Sequence, residues 1–409
     1  MSWPGGGTPR IAVIGGGIGG LATAAFLHRA GLPAVIYEQA AELKEIGAGL
    51  VIAPNAARLL RRLGVLSVIE QQAVRLETGW EFRRWADGTV LSAENLAARC
   101  LELYGEHTYA AHRADLLSAI RQAVPADAVR LGRRCSGLVS DGPRPVLEFT
   151  DGTAAEADVV IGADGVHSAI RDAVYGPSPA TYSGICAFRA LVPAEQAPPF
   201  ALRQAQTLWL GPGHHLVHYP VSAGRYVNLV AFAPAGEYVI ESWTATATVA
   251  EFLAEFADWD QRLVRLIEAV GTVGRWALLD REPLPQWSYG PVTLLGDAAH
   301  PMFPFFAQGA AQAMEDAAVL ASCLAAALTT GNGSPADVAA ALRRYEECRR
   351  PRTTRLQEIS HARAHVNHLP DGVEQAARDA AFGATDPLTA SGWIYGYDPD
   401  TELAAPRVG

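Results

Sequence analysis

One short run, His214-His215-Leu216-Val217-His218-Tyr219, gathers three imidazoles and a phenol. Imidazole, with an unperturbed pKa of about 6.5, takes up and returns protons near neutral pH. A histidine held beside a substrate can therefore serve as a general base. The apolar residues around it suggest a strand, in which alternate side chains share a face. His215, Val217, Tyr219 and Val221 then lie on one side, and His214, Leu216 and His218 on the other. The first set is mostly apolar with two polar heads, which suits a pocket wall. His215 and Tyr219 are the candidate catalytic pair, while His214 and His218 read as solvated or structural. No carboxylate or cysteine stands close enough in the chain to complete a metal site.

Two other clusters invite chemistry. His361, His365 and His368 have helical spacing but lack the glutamate of a metalloprotease motif, and read as a solvated helix face. Arg349-Arg350-Pro351-Arg352, with Arg355, could suggest an anion site. In a chain of net charge -10 it reads instead as the charged exterior of C-terminal helices. The five cysteines, Cys100, Cys135, Cys186, Cys323 and Cys348, show no CxxC spacing, so free thiols in a reducing compartment are expected.

Near the start, Gly15-Gly16-Gly17-Ile18-Gly19-Gly20 fits GxGxxG at Gly15, Gly17 and Gly20. The first glycine permits a tight turn, the second lets backbone approach a pyrophosphate, and the third lets helix and strand pack closely. The free N–H groups of the following helix meet the phosphate charge. Glu38, 18 residues beyond Gly20, is placed to bond a ribose hydroxyl. The motif implies a dinucleotide and does not separate FAD from NAD.

The elements that position these groups follow from hydrophobic patterning. Ile11-Ala12-Val13-Ile14 is continuously apolar, as in a parallel strand covered on both faces. A helix through Arg29, ended by Gly31 and Pro33, leads to a second strand, Ala34-Val35-Ile36-Tyr37. Over 208–232, short β-rich runs separated by Gly and Pro suggest an antiparallel sheet. Helical patterning returns over 249–270. Two more apolar strands, Val159-Val160-Ile161-Gly162 and Val292-Thr293-Leu294-Leu295, lead into acidic turns. An Ala-rich helix follows Gly309, a loop falls at 331–335, and a charged helix runs over 335–363. The remainder is weakly patterned. With 409 residues, 49% hydrophobic and 19% charged, the chain can bury a large core. Its 43 acidic against 33 basic residues argue against nucleic-acid or anionic-membrane partners. The apolar stretch 11–27 holds five glycines and is better explained as strand, turn and helix than as a membrane span. A cytoplasmic monomer or homodimer is expected.

Further motifs carry a family resemblance. Gly162-Ala163-Asp164-Gly165-Val166-His167-Ser168 with Arg171, Gly296-Asp297-Ala298-Ala299-His300-Pro301 and His112-Arg113-Ala114-Asp115-Leu116 resemble, in order and spacing, the segments of class A flavin monooxygenases. Trp393-Ile394-Tyr395-Gly396-Tyr397-Asp398 is similar to the salicylate hydroxylase and 6-hydroxynicotinate monooxygenase branch. The resemblance implies an α/β fold: a Rossmann-like FAD-binding domain with an inserted, mostly antiparallel β-sheet substrate domain and C-terminal helices. The expected division is 1–75, 105–180 and 280–375 for FAD, 76–104 and 181–279 for substrate, and 376–409 as tail.

The resemblance also implies FAD as cofactor, NADH or NADPH as electron donor, and O2 and a small aromatic substrate as partners. That substrate is hydroxy- or aminobenzoate-like, or N-heteroaromatic, and is hydroxylated through a flavin C4a-hydroperoxide. Gly15, Gly17, Ile18, Gly20, Glu38, Gln39, Gly49, Arg113 and Asp164 would contact the cofactor. Asp297 would bond the ribityl chain, and the helix start at Gly309 and Ala310 would face the flavin edge where negative charge develops. Related enzymes carry an H-x-x-x-Y pair, matched by His215 and Tyr219. Val51, Phe303 and Phe305 would contact substrate. The hydroxynicotinate branch has polar residues at the positions of Val51 and Phe305, so this pocket is expected to be more apolar. A flavin-dependent halogenase or reductase is the first rival, although no two tryptophans are two apart as the halogenase motif requires. A non-catalytic FAD-binding sensor is the second.

Overall fold

The computed structural model describes residues 9–43, 48–139, 144–177, 179–236, 245–330, 333–382, 384 and 386–404. Ile11–Ile14 is buried along its whole length and lies in parallel between Ala34–Tyr37 and Val159–Gly162. Val292–Leu294 extends the sheet beyond Val159–Gly162, and Val129–Arg130 extends it on the other edge. The short Ser288–Tyr289 strand closes one side in antiparallel fashion. One sheet thus draws strands from the beginning, middle and end of the chain. Its central strands, Ile11–Ile14 and Val159–Gly162, are apolar and buried throughout, as in parallel sheets covered on both faces. Ile18–Arg29 and Gly309–Ala325 pack together in that core. A small sheet of Cys135–Val139, Val146–Phe149 and Ala154–Glu156 adds Leu147 and Phe149, the latter 4.8 Å from the Tyr37 ring.

The second large sheet has eight strands in the order Thr246–Ala247, Val273–Asp280, Thr181–Pro193, Tyr226–Pro234, His214–Val221, Ala205–Gly211, Gly79–Arg84 and Val90–Glu94. Every neighbouring pair is antiparallel except Ala205–Gly211 with Gly79–Arg84. One face, carrying Phe188, Trp209 and Leu216, is covered by two helices. The sequence suggested helical patterning over 249–270. The structure has Val249–Glu255 and Gln261–Glu268, because Asp260 stops the chain and caps the second, accepting from the Arg262 amide at 2.8 Å. The Thr248 and Glu251 capping box starts the first.

Pro335–Asn367 runs four residues past the expected 363, with Pro351 in its interior. Gly331 and Asn332 of the expected loop, Gly47, residues 1–8 and the end of the tail at 405–409 lie outside the described residues. The weakly patterned tail is more regular than expected: Val373–Phe382, Pro387–Ala390, Gly392–Tyr395 and Pro399–Ala404 are helical. Most of these helices are too short for a 3.6-residue period to register. They are held by caps and long-range bonds, such as Asp386 on the Leu388 and Thr389 amides and Tyr104 on the Leu388 carbonyl. All five cysteines are free and four are buried.

Candidate active site

The three fingerprint glycines differ in what the protein itself demands of them. Gly15 has φ +106°, and a Cβ there would run into the Ala163 carbonyl. A Cβ at Gly20 would overlap the Gly15 carbonyl. Gly17 has an ordinary φ of -72°, and a Cβ there would meet nothing within 4 Å. The fold therefore explains Gly15 and Gly20 but not Gly17. Only a group outside the chain gives a reason to keep that position bare. Gly17 is also the N-cap of Ile18–Arg29 and offers no side-chain cap, so the first helical N–H groups remain available. Glu38 reaches the same loop, accepting from the Gly16 amide at 2.6 Å and from the Ala40 amide at 2.7 Å. Gln39 beside it is exposed.

Two further turns meet this loop. The turn after Val159–Gly162 packs its Ala163 and Asp164 backbone against Gly15. Asp164 accepts from the Ser168 hydroxyl at 2.6 Å and the Ile170 amide at 3.2 Å, which starts Ala169–Tyr175, and burial raises its pKa in spite of these bonds. Arg171, fully buried, donates to the Val166 carbonyl at 2.6 Å and the Ala298 carbonyl at 3.1 Å. It thereby ties the Asp164 turn to the Asp297 turn, a role its place in the motif did not reveal. Asp297 is exposed between buried Gly296 and Ala298, and its carboxylate has no hydrogen bond or ion pair among the described residues. Arg113 opens Arg113–Arg121, where His112 accepts from the Ala114 amide at 3.2 Å, and its N–H donates to the Ala48 carbonyl at 3.0 Å.

Beneath the Asp297 turn lies a buried polar network. Asp316 accepts from Gly296 N at 3.1 Å, pairs with His300 Nε2 at 2.6 Å, and accepts from Arg349 Nε at 2.7 Å. Glu315 pairs with Arg349 at 2.6 Å and Arg352 at 2.8 Å, and accepts from Asn55 at 2.7 Å. Arg352 also donates to the Trp393 and Ile394 carbonyls and lies 4.1 Å from the Tyr397 ring. The reading of Arg349 and Arg352 as charged exterior is thus overturned: Arg349 is 0% exposed. The signal was present, since Leu342, Tyr345, Arg349, Arg352 and Leu356 follow a helical stripe whose other members are core. The network sits on the first turns of Gly309–Ala325, whose N-cap Gln308 makes no side-chain cap. The Gly309 and Ala310 amides therefore stay open beside the Asp297 turn.

The His214–Val221 strand alternates as expected. Val217, Tyr219 and Val221 join a cluster with Val51, Leu208 and Leu210, while Leu216 faces the opposite core. His215 stacks on Phe232 at 4.4 Å, meets Phe305 edge-on at 5.1 Å, and its Nδ1 lies 2.6 Å from His368 Nε2. His368 is therefore no solvated residue, contrary to the sequence reading. His361 bonds Asp280 at 2.8 Å, and His365 is exposed. Burial, then the neighbouring His368, lowers the His215 pKa, and burial lowers that of His368 to about 4. Both rings are neutral at neutral pH. His214 bonds Glu255 at 2.9 Å, and His218 is buried with its pKa pushed down to about 3 by burial. Burial raises the Tyr219 pKa. No group of three or more metal-capable side chains occurs among the described residues.

Gly49, expected at the cofactor, donates its N–H to Asn228 at 2.7 Å, and a Cβ there would strike Asn228 and the Tyr219 ring. Asn228, which had no motif to mark it, thus docks the Gly49–Ile52 strand onto Tyr226–Pro234, where it sits opposite Tyr219. A recess opens alongside, walled by Val51, Trp80, Leu208, Phe305, Phe306 and Tyr395, with Thr108 and Gln206 as its uncharged polar groups. Phe303 lies outside this wall, buried against Phe232 and 4.8 Å from the His361 ring. Ala307, which also lines the recess, leads directly into the helix start at Gly309.

By its family and its relatives the chain is a flavin-dependent aromatic monooxygenase. The chain belongs to the FAD-binding-domain family, which matches residues 8–360, and within it to the branch of salicylate hydroxylase and 6-hydroxynicotinate monooxygenase. It is 42% identical over 390 residues to the 3-amino-4-hydroxybenzoate 2-monooxygenase PtmB3 of Streptomyces platensis, a match that covers 95% of this chain and 96% of that protein. It is 37% identical over 371 residues to the 6-hydroxynicotinate 3-monooxygenase of Bordetella bronchiseptica, with 89% and 94% covered. Among solved structures, Klebsiella pneumoniae HpxO complexed with FAD and uric acid matches with TM-score 0.82 at 29% identity over 97% of both chains. A salicylate hydroxylase substrate complex matches with TM-score 0.81 at 27% identity, covering 98% of this chain and 99% of that one.

Proposed function

We propose that the protein hydroxylates a small benzoate-like ring bearing hydroxyl or amino groups, in the manner of 3-amino-4-hydroxybenzoate, using NADH or NADPH and O2 in the cytoplasm. The observation that carries this reading is the position of the recess. Its wall continues through Ala307 into the Gly309 helix start, so a ring seated against Val51 and Phe305 would lie beside the flavin. FAD, when bound, supplies the activated oxygen.

The chain's own groups supply the rest. Gly15, Gly17, Ile18 and Gly20 with Glu38 would hold the adenosine diphosphate half, Asp297 the ribityl chain, and the Gly309 and Ala310 amides the flavin edge that gains negative charge. This assignment goes with the domain division given above. His215 takes a phenolic proton at Nε2, its Nδ1 being engaged by His368, and so raises the electron density of the ring. Tyr219 lies four residues along the strand, roughly 13 Å away at ~3.3 Å per residue, with Val217 between them on the same face. The apolar wall excludes water, which protects the activated oxygen from loss as peroxide.

The test is the ratio of hydroxylated product to NAD(P)H consumed. His215→Ala should still bind FAD and still oxidise NAD(P)H when the aromatic compound is present. Product formation should fall by about 10²–10⁴-fold, the usual worth of general-base assistance, with hydrogen peroxide released instead. An unaltered ratio removes His215 from the mechanism. A parent protein whose NAD(P)H oxidation no aromatic stimulates would be a sensor rather than an enzyme.

A further inference from the structure

Arg363 stands on the inner side of Pro335–Asn367, partly buried, with its guanidinium carbon 5.1 Å from the Phe306 ring centroid. It makes no hydrogen bond or ion pair with any described residue. Its electrostatic neighbours offer no counter-charge. Tyr395 is kept protonated because burial raises its pKa, Arg378 is a like charge already bonded to Asp379 and the Val366 carbonyl, and His215 is neutral. Burial accordingly lowers the Arg363 pKa. A partly shielded cation without a partner leaves N–H donors for solvent or a ligand to take, whereas buried charges are ordinarily paired. The chain otherwise respects this rule: Arg349 meets two carboxylates, and Arg171 meets two carbonyls.

The position of Arg363 supplies the reason for the exception. Phe306, over which the guanidinium lies, and Tyr395, one of its electrostatic neighbours, both line the recess, and none of the lining residues carries a charge. A planar guanidinium can take a carboxylate through two parallel hydrogen bonds. We propose that Arg363 anchors the carboxylate of an anionic aromatic substrate at the mouth of the recess, with the ring directed inward against Trp80 and Phe305. The proposal rests on the recess being the substrate site, and it makes substrate charge, more than ring shape alone, the basis of selection. His215 and Arg363 then act on different substituents, His215 on the ring hydroxyl and Arg363 on the acid group.

The experiment compares an acid with its amide. FAD-loaded protein is titrated with 3-amino-4-hydroxybenzoate and with 3-amino-4-hydroxybenzamide, following the flavin absorbance, for the parent, Arg363→Gln and Arg363→Lys. The parent should bind the acid roughly 10- to 100-fold more tightly than the amide, the range for charge-assisted hydrogen bonds. Arg363→Gln should erase that preference and leave the amide within about 2-fold of the parent value. Arg363→Lys should restore part of it, since lysine keeps the charge but not the fork. Thermal melting of Arg363→Gln should be no lower than that of the parent, because an unpaired cation has been removed. An acid preference that survives in Arg363→Gln refutes the anchor. A parent that binds both compounds equally overturns the anchor alone, whereas one that binds neither overturns the benzoate reading together with it.

Discussion

Gly17→Val separates the protein's needs from those of its ligand. Gly17 sits at φ -72° and ψ -173°, an extended conformation open to valine, and a Cβ there touches no protein atom within 4 Å. Losing glycine at an N-cap costs up to about 1 kcal/mol. Restricting the unfolded chain returns about 0.4–1 kcal/mol. The melting temperature of the FAD-free protein should therefore barely move. A pyrophosphate held on the helix start is affected differently. A branched side chain pushes it outward and removes at least one charge-assisted hydrogen bond, worth about 1.5–3 kcal/mol. The FAD dissociation constant should rise by at least about 10-fold, approaching about 100-fold at the upper end. Flavin fluorescence titration gives the affinity, and circular dichroism melts give the stability. Gly20→Ala is the contrasting control: its Cβ would overlap the Gly15 carbonyl, so it should lower stability even without FAD. If Gly17→Val binds FAD as tightly as the parent, the pyrophosphate does not lie on this turn.

Two other expectations concern the Asp297 turn and the network beneath it. Asp297→Ala removes an exposed, unpaired carboxylate, so it should leave folding unchanged while weakening FAD binding by about 1.5–3 kcal/mol; equal affinity in a folded variant would count against a ribityl contact. Arg349→Met takes one cation from Glu315 and Asp316, leaving them Arg352 and His300, and should cost about 3 kcal/mol in urea unfolding, with a loss under about 1 kcal/mol contradicting the network's role. Burial opposes the charge on Asp316, but His300 and Arg349 outweigh it and hold the pKa down at about 2. The corresponding stability is fully present above the unfolded value of about 4 and drains away as pH falls toward about 2.

What could be read from the sequence depended on whether the signal was local. The parallel sheet was legible because Ile11–Ile14 and Val159–Gly162 are uninterrupted apolar runs with glycine or acidic turns at their ends. The alternation of His214–Val221 was legible for the same reason. Arg349 and Arg352 were misread because charge composition was weighed ahead of the helical stripe on which they lie. His368 was misread because its partner, His215, is 153 residues away, and no spacing rule reports such a contact. Asn228 and Arg363 lie in no motif at all. Their meaning comes only from what the fold brings to them: a neighbouring strand for one, and an absence of counter-charge beside a recess for the other.

The buried network also explains how a site assembled from distant segments can keep its geometry. The two groups proposed to face the flavin, the Asp297 carboxylate and the Gly309 amides, lie on separate elements, a turn and a helix start. Asp316 joins them. One of its oxygens holds the Gly296 amide and His300, on either side of Asp297, while its backbone belongs to the helix that begins at Gly309. Its other oxygen takes Arg349, which fixes the helix against Pro335–Asn367. Glu315 extends the brace through Arg352 to the Trp393 and Ile394 carbonyls, and so to the segment that presents Tyr395 to the recess. The Asp297 turn, the Gly309 helix start and the recess wall thus share one set of buried charges. An apolar core of the same volume would stabilise the fold at least as well. It would not specify the separation between Asp297 and the helix start, because hydrophobic contacts have no direction whereas hydrogen bonds do.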